Sequence, residues 1–323
     1  MKGIKLGLIL AGICSAISAY AGTFSVTSPT DGKWLGSTNT LSFNGSGAHV
    51  QIHVEAVITG PGGSTTVSTN VNPDVNGAFT GTLPLNFSQS VAQGNYTISV
   101  TATEPGNTYT AVNLNVKVDT KTPKLLEFSP AQNSFSKGTI PIFFKVLEDN
   151  MKEWRVTVGG SDIPNNTGTT ETSINVSYDS SGLDTDGPQN IALTAKDQAD
   201  NTLSFSIPLT IDRKPPSSVI QFPQASSPIR PRSDIMVIID VTDQFAGSVD
   251  LTGVDIVIQK TDGSFITRAA RESWRDIGNN TWRWTGRIRY RSGFPSIYKV
   301  VVSSLDKARN VGVRQEVIVH PGV

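Results

Sequence analysis

Ile211-Asp212-Arg213-Lys214-Pro215-Pro216 repeats the pattern of Val118-Asp119-Thr120-Lys121-Thr122-Pro123. Each stretch ends an alternating apolar run with an aspartate and passes into a proline-containing link. Asp119 and Asp212 lie 93 residues apart, as do Pro123 and Pro216. Glu104 and Asp197 keep the same interval, each 15 residues upstream of its link. Self-similarity at a fixed period means tandem domains. This period is the length of one small β-sandwich, far above that of a solenoid repeat.

The runs on either side of the links alternate with period two, as half-buried strands do. In the first unit Val50, Ile52, Val54, Ala56 and Ile58 share a face, and Val112, Leu114, Val116 and Val118 form the last strand. Ile140, Ile142, Phe144 and Val146 repeat the alternation in the second unit, and Ile235, Val237, Ile239 and Val241 in the third. Gly60-Pro61-Gly62-Gly63 and Asn76-Gly77 are turn signals. Ser28-Pro29, Ser129-Pro130 and Phe222-Pro223 open the units, and Asp197-Gln198-Ala199-Asp200-Asn201 returns as Asp306-Lys307-Ala308-Arg309-Asn310. With no long 3.6-residue periodicity, the expectation is an all-β chain with domains over 22–119, 120–213 and 214–323. Asp197 to Asp306 is 109 residues, so the third domain carries 16 more, placed among residues 244–295.

Lys2 and Lys5, the apolar run Leu6 to Ala19 and the small-x-small box Ala19-Tyr20-Ala21 read as a cleaved signal peptide over 1–21. Cleavage there removes Cys14, the one cysteine, so the exported domains must stand on their cores rather than on disulfides. The destination is the periplasm, the cell surface or the medium, with no transmembrane segment or anchor expected in the mature chain. Formal charge is zero overall but uneven: −3 over 22–119, −4 over 120–213 and +5 over 214–323. Such asymmetry bears on partners, not on fold.

The alternation, the Ser-Pro or Phe-Pro openings, the Asp-x-Ala-x-Asn turns and the Asp-x-x-x-Pro links resemble tandem bacterial Ig-like domains of the surface or envelope type. The resemblance spans about residues 23–320 and is strongest in the second unit. The first departs from it with Glu104 in place of Asp, and the third has Ser304-Leu305 before Asp306. It implies Greek-key sandwiches and no enzymatic activity, with roles in adhesion or as spacers.

If the strand order is Ig-like, the acidic turns gather at the links. Glu148, Asp149 and Asp197 would stand near Asp119, and Asp243 and Asp306 near Asp212, with Asp184 and Asp186 facing the second joint. Several carboxylates around one link is what Ca²⁺ requires, since it takes about 6–8 oxygens. The alternative is that these residues only form hydrogen-bonded turns. In Thr281 to Arg291, Trp282, Trp284, Ile288 and Tyr290 alternate with Arg283, Arg287, Arg289 and Arg291. The aromatic face reads as core. The arginine face reads as an exposed ladder able to meet an anionic surface polymer, or as an edge charged only against aggregation. Trp274, expected off that strand in a polar loop, is the candidate for stacking on a polysaccharide. A polysaccharide-binding module is the alternative to adhesion or spacing, and another envelope protein is the remaining partner class. Nucleic acid is not expected outside the cytoplasm. Three histidines, no mature cysteine and no Gly-x-Ser-x-Gly leave no catalytic or zinc constellation.

Overall fold

The computed structural model describes residues 22–230, 232–269, 273–289 and 295–320. Residues 1–21, where a signal peptide is expected, lie outside them with Cys14, and so do Tyr290 and Arg291. The described residues form two compact units. One runs to Thr122 and includes residues 198–201; the other holds Pro123–Asp197 and Thr202 onward.

The first unit is one sandwich. Its strands are β1 (Thr23–Ser28), β2 (Trp34–Leu35), β3 (Thr38–Ser46), β4 (Ile52–Gly60), β5 (Gly63–Val71), β6 (Phe79–Asn86), β7 (Gly94–Glu104), β8 (Asn107–Thr108) and β9 (Val112–Val118). One sheet has the order β1-β3-β6; the other runs β2-β9-β7-β4-β5, with β8 against β7. The alternating residues do what their period requires: Ile52, Val54, Ala56 and Ile58 are buried, and the residues between them face outward. They close on Leu41, Phe43, Phe79 and Leu83 of the facing sheet. Val50 departs from the alternation: it precedes β4 and is exposed.

The second unit contains two sandwiches, each with its own core. The first is built from β10 (Lys124–Ser129), β11 (Ser134–Ser136), β12 (Thr139–Leu147), β13 (Met151–Val158), β14 (Ser161–Gly168), β15 (Ser173–Asp179), β16 (Gly187–Asp197) and β17 (Thr202–Ile211). Its sheets are β10-β12-β15 and β11-β17-β16-β13-β14, the order of the first unit again. Ile140, Ile142, Phe144 and Val146 meet Val156, Ile191, Leu193 and Ile207 in its core. Burying a side chain such as Phe144 contributes about 1.5–3 kcal/mol.

The next sandwich comprises β18 (Ser217–Phe222), β19 (Ile235–Thr242), β20 (Asp255–Gln259), β21 (Phe265–Arg268), β22 (Trp274–Gly278), β23 (Thr281–Ile288), β24 (Tyr298–Ser303) and β25 (Gln315–Val319). Its sheets are β18-β19-β23-β22 and β21-β20-β24-β25. The extra residues supply β22, which adds a fourth strand to the first sheet. Trp274 therefore starts a strand instead of lying in a loop, and it sits opposite Trp284. Asn279 and Asn280, at φ 52° and 57°, close β22 on β23. Two central residues at positive φ are what a tight two-residue hairpin demands, and asparagine tolerates that region.

Candidate metal centre

A short parallel pairing fixes the aspartate of each link. In the first unit β2 pairs with β9, and the Asp119 amide donates to Leu35 O at 3.0 Å. In the second unit β11 pairs with β17, and the Asp212 amide donates to Ser136 O at 2.9 Å. The chain thus stays in the sheet for one residue past the last strand. The Asp212 side chain is then fully buried.

Two turns of the following sandwich meet Asp212. Asp243 comes directly after β19, and its amide donates to Asn280 O at 3.2 Å, which ties it to the β22–β23 hairpin. Asp306 opens the turn after β24 and bridges Val249. Asp212, Asp243 and Asp306 each bring a carboxylate oxygen within 4.8 Å of the others, and all three are buried.

Donors reach only part of this cluster. Asp306 is satisfied from its own turn: its Oδ1 accepts the Asn310 amide at 2.7 Å and its Oδ2 accepts Asn310 Nδ2 at 2.6 Å. Asp212 Oδ1 accepts Gln244 Nε2 at 2.6 Å, and Asp243 Oδ1 accepts the Gln244 amide at 2.7 Å. Asp212 Oδ2 and Asp243 Oδ2 are buried with no hydrogen-bond partner among the described residues. Nor does any cationic side chain pair with the three carboxylates there. Buried carboxylates without donors cost several kcal/mol each, and native proteins leave few such atoms unexplained.

The electrostatics follow. Burial pushes the Asp212 carboxyl up to about 6, with the charges of Asp243 and Asp306 adding to the rise. Burial pushes Asp243 up, with Asp306 adding to it, against the lowering by the nearby Ser248 hydroxyl and the Gln244 amide. The Ser248 hydroxyl donates its proton to Phe245 O at 2.8 Å, which leaves Asp243 Oδ2 without a donor. The donor set is all oxygen, with a formal charge of −3. That suits a hard divalent cation such as Ca²⁺ and not zinc, which favours nitrogen and sulfur.

The other acidic residues of the expected joints divide. Asp186 belongs to the surround of the cluster: Arg213 donates to it from its amide at 3.0 Å and from Nε at 2.5 Å, and Gln244 Nε2 bridges Asp186 and Asp212. Its charge is therefore already matched. Asp184 is exposed and outside the cluster. Asp119 lies in the first unit, buried, with Oδ1 accepting the Lys121 amide at 3.1 Å. Within the second unit, Glu148 and Asp197 hold carboxylate oxygens within 4.8 Å of each other, while Asp149 is exposed.

In the first sandwich Glu104 takes the position of Asp197 and Asp306. Its oxygens accept the amides of His49 at 3.0 Å and Val50 at 3.2 Å, Asn107 Nδ2 at 3.2 Å and the Tyr109 hydroxyl at 3.2 Å. Burial raises its pKa, but these four donors outweigh that and hold it below the usual carboxylate range. The position can thus be satisfied by protein donors alone, which sets the Asp212–Asp243–Asp306 arrangement apart.

The arginine face is only partly free. Arg283 forms a two-pronged pair with the buried Asp240, both contacts at 2.7 Å, and Gln221 Nε2 also donates to Asp240. Arg287 and Arg289 are exposed. None of the five tryptophans is exposed: Trp154 and Trp284 are buried, and Trp34, Trp274 and Trp282 are half-buried. Trp274 and Trp282 pack against the core of the last sandwich. Trp274 also lines a cavity of about 230 Å³ with Trp284 and the Arg268–Asp255 pair. These rings do not form an open platform for stacking on a polysaccharide.

Among the described residues no helix is long and apolar enough to cross a membrane. No protein-family model matches the chain, and no curated protein does. Solved structures similar to it include the fibronectin(III)-like modules of Clostridium thermocellum CbhA, at 12% identity over 62% of this chain and 94% of that one, TM-score 0.36. Another is a tetra-tandem repeat from the extending region of a large adhesion protein, at 18% identity over 92% of this chain and 74% of that one, TM-score 0.30. A third is the complex of Dpr2 Ig1-Ig2 with DIP-Theta Ig1-Ig3, at 12% identity over 93% of this chain and 99% of that one, TM-score 0.31. On its own strand order and its separate cores, this chain is a tandem array of Ig-like β-sandwiches.

Proposed function

We propose that this is a non-enzymatic, exported Ig-like protein of the bacterial envelope, a spacer or adhesion module whose second joint is set by a divalent cation, with calcium the best fit. The observation that carries the cation is the pair of buried, partnerless oxygens, Asp212 Oδ2 and Asp243 Oδ2, beside Asp306. The three residues would hold the ion from both sides of the link: Asp212 from the end of one sandwich, Asp243 and Asp306 from two turns of the next. A bound cation supplies the positive charge that these carboxylates lack. It thereby converts mutual repulsion into a tie between the two sandwiches. Gln244 and Asn310 orient the carboxylates, since their amides donate to Asp212, Asp306 and the Asp212 carbonyl.

Limited trypsinolysis tests this. The Arg213–Lys214 bond lies in the link, next to Asp212. Cleavage there is expected to slow at least severalfold in calcium relative to chelator, and the calcium effect to vanish in Asp212→Asn/Asp243→Asn. Equal cleavage of the wild-type chain in calcium and in chelator would refute the proposed tie.

A further inference from the structure

The end of the last sandwich remote from the joint carries the opposite charge. β19 leaves that end at Ile235 and arrives at the joint with Thr242; β23 returns and ends beside it, with Ile235 opposite Ile288 and Met236 opposite Arg287. Arg289 follows one residue beyond that register, and Arg230 and Arg232 lie in the segment leading into Ile235. The pairing therefore puts Arg287 and Arg289 at the end of the sheet into which the segment holding Arg230 and Arg232 leads. All four are exposed, and none makes a hydrogen bond or ion pair among the described residues. Arg268 and Arg283, by contrast, are taken by Asp255 and Asp240. The acids nearest in sequence are Asp234, Asp240 and Asp276; Asp240 is taken by Arg283, and Asp276 Oδ1 accepts the Gly278 amide at 2.8 Å.

We infer that this end, through Arg230, Arg232, Arg287 and Arg289, is the contact surface for a linear polyanion with repeated carboxylate or phosphate groups. Free arginines spread along a strand end and its neighbouring segment suit a chain of oxyanions better than one compact anion. Arg287 is the penultimate residue of β23 and Arg289 the first residue after it, a spacing of about 7 Å for extended chain. Arginine presents a planar fork of donors to oxyanions and is more weakly hydrated than lysine. The distribution of charge within the sandwich supports the orientation: an acidic joint at one end turns the basic end toward an anionic chain. The inference rests on reading the chain as a spacer with a contact module. It does not rest on the cation, and a joint that holds no calcium leaves it standing.

The test measures binding of the full chain to polygalacturonate, to polyphosphate and to phosphatidylglycerol vesicles, each across a salt series, with calcium and with chelator. Binding to a soluble polymer is expected, falling steeply with salt. Arg287→Gln/Arg289→Gln should weaken it roughly tenfold and flatten the log–log salt slope by about two. The charge-matched pair Lys145→Gln/Arg155→Gln, in the other sandwich of the unit, should change it less than about twofold. Preference between the two polymers identifies carboxylate or phosphate as the partner group. No polymer binding at low salt, binding to vesicles alone, or equal loss in both double variants would overturn the assignment. Loss of the calcium effect on trypsinolysis with polymer binding intact would count against the cation alone.

Discussion

Asp212 and Glu104 show how one kind of buried carboxylate reaches two ends. Glu104 meets four protein donors, so it is content as an anion. Glu104→Gln should therefore cost about 1–3 kcal/mol whether or not calcium is present, as urea denaturation would show. Its pKa is lowered on folding. The stability it contributes is thus present at neutral pH and lost as pH falls below the ordinary glutamate range. Asp212 Oδ2 and Asp243 Oδ2 lack donors, so their substitutions should change sign with conditions. In chelator, Asp243→Asn removes one of three clustered like charges and should be neutral or stabilising, by up to roughly 2 kcal/mol. In calcium the same change removes a ligand and should destabilise by roughly as much or more. Urea denaturation of the variant in both conditions checks this, and destabilisation of equal size in both would mean that the aspartate serves the fold alone.

The β22–β23 hairpin places Asn280 under Asp243 and Trp274 beside Trp284. Gly286 in β23 permits this packing: a Cβ there would stand 2.3 Å from the Trp284 ring. Gly286→Ala should consequently cost about 1–3 kcal/mol by overpacking. It should do so equally at all calcium concentrations, which thermal unfolding would report. This hairpin also marks where sequence reading ran short. Alternating strands such as Ile140 to Val146 and Ile235 to Val241 announce themselves because every second residue is buried. Residues 274–278, Trp-Arg-Asp-Ile-Gly, are short, mostly exposed and at a sheet edge, so they carry little alternation. The signal that was available is Gly278-Asn279-Asn280, a turn-forming run at the tip of the hairpin. The link aspartates were legible because the 93-residue repeat isolates them. The hydrogen bonds that separate Glu104 from Asp306, and the pairing of Arg283 with Asp240, were not. They depend on which residues long-range strand pairing brings together.

Within the second unit, Asp212 and Asp243 couple stability to pH and to cation together. The Asp212 pKa is raised to about 6 by burial and by its acidic neighbours, and Asp243 is raised too. Between their unfolded and folded values the folded chain holds more protons than the unfolded one. Their contribution is therefore full below the ordinary aspartate range, about pH 4, and is lost as pH rises, for Asp212 through about 6. In chelator, the unfolding midpoint assigned to this unit should rise as pH falls from 7 toward 5. Saturating calcium should flatten or reverse that slope, because the ion binds the deprotonated carboxylates. Calorimetric scans at the two pH values, with and without calcium, give all four points.

The most direct test is isothermal titration of the full chain with calcium after exhaustive chelation, set against Asp212→Asn/Asp243→Asn. The wild-type chain should bind, and the variant should lose one site's worth of stoichiometry while remaining folded by circular dichroism. An unchanged isotherm in a folded variant would mean that Asp212, Asp243 and Asp306 hold no cation, and that the joint is closed by hydrogen bonds alone.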